Sequence, residues 1–408
     1  MSITINSQPG LFSPVQSPMY FRVTSTNTSQ CGFNYVFDIF TGNTDYKTRI
    51  VLQARLDGSC VFTPNTVLKS YLGYDLQPTS SSVKGASNSA MQYRVSIGEQ
   101  YGLGNNCTTG VTTFSGITTQ SGYCWNAVTQ YKDFPTFKYT QFYMTGSTSR
   151  FLTNRPDNLK VNPMEWETIS ILNVNSGGTK VSGFLYTFAS DDGSSVSQFF
   201  LSNPFSASTA GSAKLLNIPV GTANLEQAFL ISFNYAAFNY YTIQATSGNS
   251  ASTTGISEVR TFRFNDVCYK YPGVRLAFLN SLGGFEFFNF PMISRKFIDV
   301  EREKYQKILP YNYNVGNRAR AVVETQAQES VTIGTDYIST EVSEWLIREF
   351  YTSPEVYEMQ GDGTYLPITV EPGNKEIPST FNDKLVQLSF KYTYAFDRGT
   401  TSGGGGAA

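Results

Sequence analysis

The 408-residue chain sets 30 Lys and Arg against 31 Asp and Glu, for a net charge of -1, and only 15% of its residues are charged, where an average globular domain has about 25%. So even a balance supplies no long-range field, and neither sequence-specific nucleic-acid binding nor an anionic-membrane partner is expected. Histidine is absent, which removes Ser-His-Asp and Cys-His nucleophilic machinery and every His-bearing metal site, and no cofactor is expected.

In chain order, MSITINSQPGLF lacks the basic-then-apolar pattern of a secretory signal, and nowhere is there an apolar run long enough to span a membrane. Residues 19–76 read as strand, turn, strand. Tyr35, Phe37 and Ile39 alternate with polar positions, as do Ile50, Leu52 and Ala54, and Gly42-Asn43 and Asp57-Gly58 supply the turns. Residues 65–76 suit a short helix and 79–89 a Ser-rich loop. Met91, Tyr93, Val95 and Ile97 then mark a closing strand. Residues 1–130 are therefore expected to form a β-sandwich of the immunoglobulin or fibronectin type. The aromatic stretch 131–150, broken by Pro135 and Gly146, reads as a strap. Residues 151–262 repeat the strand grammar in WETISILNV, TKVSGFLYTF, AFLISFNYAAF and YYTIQAT, and predict a second sandwich.

The third unit, 263–398, contains GVRLAFLNSLGGFEFFNF. Val274, Leu276 and Phe278 share one strand face, a Gly-Gly turn follows, and the return strand is apolar on both faces, Phe285 with Phe287 and Phe288 with Phe290. Such a strand is either sealed by a helix of its own chain or packed on a neighbouring subunit. The helix is expected at 339–351, with Ser339 and Thr340 as N-cap candidates and Val342, Trp345, Leu346 and Phe350 on one face. Phe288, Phe290, Trp345 and Phe350 are assigned to the core, and Phe285 and Phe287 to a subunit or domain contact. The alternating charges of 294–307 read as a solvated connector or short helix, with a docking surface as the alternative. Residues 399–408 form a flexible Gly-rich tail. The fold expected is thus mainly β and multi-domain, two sandwiches followed by a β domain with one amphipathic helix.

Chemistry is sparse. The five cysteines, Cys31, Cys60, Cys107, Cys124 and Cys268, show no C-x-x-C and are read as reduced and mostly buried, with Cys107 and Cys124 the pair to test first. Asp191-Asp192-Gly193 reads as a solvated turn rather than a Ca²⁺ loop. The acidic residues form no defensible pair for glycoside hydrolysis.

The run R-L-x-F-L-N-x-L-G-G-F-x-x-F-x-F from Arg275 to Phe290, S-P-E-V-Y from Ser353 to Tyr357, Y-R-V-x-I-G-E-x-Y from Tyr93 to Tyr101 and the Trp125-Asn126-Ala127 turn together resemble virion structural proteins of tailed phages that infect Bacteroidetes-type bacteria. The resemblance implies a non-enzymatic β-rich building block of the tail, baseplate or head-tail region. Such a protein is made in the host cytoplasm, is located in the virion, and has copies of itself and other virion proteins as partners. Alternatives are a host-attachment fibre or adhesin, which would meet a surface glycan or receptor through loops such as 233–242, a carbohydrate-acting tailspike, and a capsid decoration protein. The tailspike reading calls for repeated β-helical rungs, which the sequence does not show.

Overall fold

The computed structural model describes residues 3–102, 115–130, 139–174, 180–208, 210–249, 252–265, 270–309, 311–316, 319–377 and 385–399. The chain divides into two compact units. Residues 1–265 and 280–286 form the first, and 266–279 and 287–408 the second.

Unit 1 opens with β1 (Ile3–Ser7), β2 (Phe12–Pro14), β3 (Phe21–Ser25), β4 (Asn34–Thr41), β5 (Asp45–Gln53), β6 (Ser59–Phe62), α1 (Asn65–Lys69), β7 (Lys84–Gly85), β8 (Ala90–Gln100) and β9 (Ser115–Trp125). These strands build a three-stranded sheet, β1-β3-β6, and a five-stranded sheet, β2-β9-β8-β4-β5. One core lies between them. Phe21, Val23, Cys60 and Phe62 face Tyr35, Phe37, Ile39, Tyr93, Val95 and Ile97, so the period-2 alternation of β4 and β8 is their inward face. The Phe37 and Phe62 rings stack at 4.2 Å across the gap. On the other face of β4, Asp38 is buried, and Arg49 of the neighbouring strand grips it with two hydrogen bonds of 2.7 and 2.8 Å.

The second sandwich comprises β10 (Lys160–Val161), β11 (Thr168–Leu172), β12 (Gly183–Ala189), β13 (Val196–Ser202), β14 (Leu215–Pro219), α2 (Thr222–Phe229), β15 (Tyr240–Asn249), β16 (Ser252–Gly255) and β17 (Arg260–Phe264). Its larger sheet runs β10-β17-β15-β12-β13, with β16 beside β15. That order repeats the first sandwich strand for strand. In each, the short edge strand is parallel to the last long strand, and a helix sits between the same pair of strands. The repeat is structural and is not visible in the sequence. The smaller sheet, β11-β14-β7, takes its third strand from the first sandwich, so the expected Ser-rich loop at 79–89 holds a strand donated to its neighbour.

Two further expectations change here. β17 crosses the expected 262/263 boundary and belongs to the second sandwich. AFLISFNYAAF is not a strand. α2 ends at Phe229, Leu230 adopts a left-handed conformation at φ 55°, and a 3-10 turn follows at Tyr235–Ala237. The alternation is nevertheless used, because Phe229, Ile231, Phe233 and Tyr235 all pack on the core without a ladder of backbone hydrogen bonds.

Unit 2 holds β18 (Val274–Leu279), β19 (Phe285–Phe290, whose first two residues are grouped with unit 1), β20 (Arg295–Gln306), β21 (Arg320–Gly334), β22 (Ile338–Ser339), α3 (Thr340–Trp345), β23 (Val356–Met359), β24 (Tyr365–Val370), β25 (Leu385–Val386) and β26 (Ser389–Tyr394). Seven of these strands form one sheet in the order β19-β18-β23-β24-β26-β21-β20. The helix begins as its sequence demands, the Ser339 hydroxyl accepting the Val342 N–H at 3.3 Å. Leu346–Phe350 then continue as a π-helical turn, closed by the Tyr351 N–H on the Leu346 carbonyl at 2.9 Å. The wider turn has a purpose in packing. Positions five apart on an α-helix diverge by roughly 140°, and the i→i+5 turn narrows that angle, so Trp345 and Phe350 can both reach the sheet.

Residues 294–307, expected as a connector or short helix, are strand. β20 pairs with β21 from Arg295–Thr332 to Gln306–Arg320. Among the described residues, no helix is long and apolar enough to cross a membrane, which leaves β-barrel spans unaddressed.

The cysteine reading also needs correction. Cys31 is disulfide-bonded, whereas Cys60 and Cys124 are buried free thiols, so the Cys107–Cys124 link is not formed. Cys107 and Cys268 lie outside the described residues. Burial pushes both free thiols up from their ordinary range, which keeps them protonated and unreactive at neutral pH. Alkylation of the denatured chain without reductant should therefore label Cys60 and Cys124 and leave Cys31 unlabelled; peptide mass spectrometry reads this directly, and a labelled Cys31 would contradict it.

Candidate functional site

The structure separates the aromatic ribbon into two environments. Phe288 and Phe290 meet edge to face at 5.1 Å. Phe288 reaches Trp345 at 5.9 Å, and Phe290 reaches Phe350 at 5.4 Å and Phe390 at 6.0 Å. Phe350 completes the cluster against Phe278 at 5.5 Å and Phe390 at 4.9 Å. Phe290, Trp345 and Phe350 are buried and Phe288 is half-buried. Phe285 and Phe287, expected at a subunit or domain contact, are 6% and 1% exposed. Phe285 lies edge to face on Tyr74 at 6.0 Å, and the Phe287 ring receives the Arg275 guanidinium at 5.3 Å. Neither leaves side-chain surface for a second copy, and of the two expected contacts Phe285 makes the domain one, since Tyr74 belongs to the expected first domain.

The turn that joins the ribbon's two strands carries a polar knot that pattern reading missed. Glu286 is buried, and its Oε1 accepts from the Thr153 hydroxyl at 2.6 Å, the Asn154 N–H at 2.8 Å, the Arg155 N–H at 3.3 Å and the Asn280 amide at 2.8 Å. Asn280 Oδ1 accepts the Leu282 and Gly284 N–H groups at 3.0 and 2.9 Å, and its amide also donates to the Leu152 carbonyl. The Leu282 carbonyl accepts the Trp125 indole N–H at 2.9 Å. Gly283 has φ 86°, and a Cβ there would lie 2.5 Å from the Asn126 carbonyl oxygen, so only glycine fits. An acidic residue set among four phenylalanines was the one available signal. Three of its four donors, on Thr153, Asn154 and Arg155, come from more than a hundred residues away, and no local pattern points to them.

Other carboxylates in the interior are occupied in the same manner. Glu99 accepts the Ser25 hydroxyl at 2.5 Å and the Asn27 amide at 2.7 Å, and Glu167 pairs with buried Arg155. Glu358 accepts both the Tyr392 and Tyr394 hydroxyls, at 2.6 and 2.9 Å. An open groove of about 400 Å³ in unit 1 is lined by Phe12, Pro14, Tyr20, Tyr139 and Tyr143 with serines and threonines, and among the described residues no carboxylate, lysine or arginine is on its wall. Burial pushes the Tyr139 phenol up to about 12, so it cannot serve as a base at neutral pH. Asp191 pairs with Arg263 at 3.0 Å, and Asp192 accepts from Ser194 at 2.8 and 3.0 Å. Among the described residues, no group of three or more Cys, Asp or Glu could hold a metal.

The largest unclaimed surface is the β20–β21 arm. All twelve β20 residues are exposed. β26 pairs with β21 only over Ser330–Gly334, and beyond it, among the described residues, no third strand joins the ribbon, though the Arg398 N–H donates to the Ala327 carbonyl at 2.9 Å. At 3.4 Å for each residue, β20 is about 40 Å long and its part beyond the β26 pairing, residues 298–306, about 30 Å. Ile308, Tyr311 and Val315, in the turn region between the two strands, are fully exposed. Charge is sorted by face. With the pleat alternating, Asp299, Glu301 and Glu303 share one face with their cross-strand neighbours Gln328, Gln326 and Glu324. Arg302 and Lys304 point the other way, beside Ile298 and Val300, with Arg320 opposite Gln306 on that same face and Glu329, paired with Arg398, opposite Ile298.

No family model matches the chain, and no curated protein matches it. Among solved structures, it is similar to the chicken CNTN1 FN1-FN3 domains, at 10% identity over 81% of this chain and 91% of that one, with a TM-score of 0.19. A superposition that loose carries no weight, and the sandwich architecture rests on the strand orders and shared cores described above.

Proposed function

We propose that this chain is a non-enzymatic structural protein of a tailed-phage virion, a repeated subunit of the tail, baseplate or head-tail region. The sequence resemblance supplies the setting, and the β20–β21 arm is the observation that carries the reading. A two-stranded ribbon is marginal in water, yet β20 is exposed along its whole length, a form suited to an element completed by assembly. The use of buried polar groups agrees with this. Glu99, Glu167 and Glu286 each bind architecture rather than face a cavity, and among the described residues the unit 1 groove has no acid or base on its wall. Quantitative mass spectrometry and antibody labelling of purified particles test the proposal: many copies per virion at one location are expected, and absence from particles refutes it.

The same reading predicts no turnover. Incubation with host surface polysaccharide should release no reducing ends, and a hydrolysis abolished by one Asp or Glu substitution would overturn the non-enzymatic assignment.

A further inference from the structure

We infer that the β20–β21 arm is a two-faced docking element for a second copy of this chain, the acidic face of one arm seating on the basic face of the next. The inference rests on the reading as a repeated subunit and adds the contact through which repetition occurs. Edge strands often carry charge simply to block unwanted pairing. That role needs charges of any sign in any order, and does not account for their segregation. Here Asp299, Glu301 and Glu303, with Glu324, make one face of the outer ribbon acidic, while Arg302, Lys304 and Arg320 make the other basic; Arg295 stands at the inner end of the acidic face, and Glu329, opposite Ile298 on the basic face, is taken up by Arg398 at 2.6 Å. Glu301, Arg302, Glu303 and Lys304 have no ion-pair partner among the described residues, since opposite signs lie on opposite faces.

The spacing suits stacking. Carboxylates recur every second residue on one face and cations every second residue on the other, about 6.8 Å apart in both rows, so two arms laid face to face can match charges in register. Each face also offers apolar contact, Phe297 and Tyr305 on the acidic side and Ile298 and Val300 on the basic side, all of them exposed. A two-fold contact of either face with itself sets like charges together. The contact is therefore heterologous, running head to tail, and produces a ring or a filament rather than a closed dimer.

Sedimentation velocity on the full chain tests this. The natural protein should form concentration-dependent species beyond a dimer that dissociate as salt rises to about 0.5 M. E301K/E303K cancels the charge of the acidic face, since Asp299 and Glu324 remain beside the two new cations, and R302E/K304E turns the basic face acidic. Each alone should associate at least about tenfold more weakly with an unchanged melting curve, because the altered side chains are exposed, and an equimolar mixture of the two should associate again. If the variants associate like the natural protein, or their mixture fails to recover, the arm is not the contact and the assembly reading survives. If the natural protein is monomeric at every concentration and salt, the assembly reading fails and the arm contact with it.

Discussion

Phe350→Ala should destabilise unit 2 by about 3 to 5 kcal/mol, and Trp345→Ala by a comparable amount. Phe350 is fully buried, and its ring is within 5.5 Å of Phe278, Phe290 and Phe390, so truncation opens a cavity between the helix and three strands of one sheet. Collapse is hindered because the walls are themselves large rings in a continuous sheet. Trp345 touches Phe278 and half-buried Phe288, and its removal also exposes the ribbon. A chain of two units does not melt as one, so hydrogen exchange on the full protein is the right measurement. Amides of β18, β23 and β26 should lose about two to three orders of magnitude of protection while those of β4 and β8 keep theirs. Unchanged exchange in β18 would show that the helix does not seal the sheet.

Glu286→Ala should be equally severe, at about 3 to 5 kcal/mol, but for a different reason. Four donors converge on one oxygen of its carboxylate. Truncation leaves the Arg155 N–H its bond to the Thr153 hydroxyl oxygen at 3.0 Å but takes the acceptor from the Thr153 hydroxyl, the Asn154 N–H and the Asn280 amide, at about 1 to 3 kcal/mol for each that water cannot reach. Glu286→Gln retains an acceptor and the side-chain volume, and should recover a good part of the loss. The affected exchange should centre on residues 151–155 and 280–286. An Ala variant no worse than the Gln variant would show that water satisfies these donors and that the knot is dispensable.

The phenylalanine ribbon shows how far pattern reading extends. The alternation of β4, β8 and β18 named their inward faces correctly, because a side-chain period of two is a local property of the pleat. The helix over Phe288 and Phe290 was legible for a similar reason, since the Ser339 cap and the spacing of Val342, Trp345 and Leu346 are encoded within one short segment. The π-helical turn was not legible, because the demand that Phe350 meet Phe390 comes from the sheet. Residues 228–238 misled in the opposite direction. Their alternation reflects packing on a core that tolerates irregular backbone, and α2 went unread because Thr222, Ala223 and Asn224 are buried without being strongly apolar.

Composition and spacing alone were enough to establish a mainly β chain, to rule out histidine chemistry, and to say which side of β4, β8 and β18 faces inward. Strand partners were settled only in three dimensions. The matching strand orders of the two sandwiches, the loan of β7 to its neighbour's sheet, the burial of Phe285 and Phe287 within the chain, and the conversion of 294–307 from a charged connector into one edge of an arm all depend on which distant segment lies alongside. Alternation records the face of a strand but not its neighbour. Pairing is decided by the summed burial and hydrogen bonding of segments far apart in the chain, which is free energy that no local stretch of sequence contains.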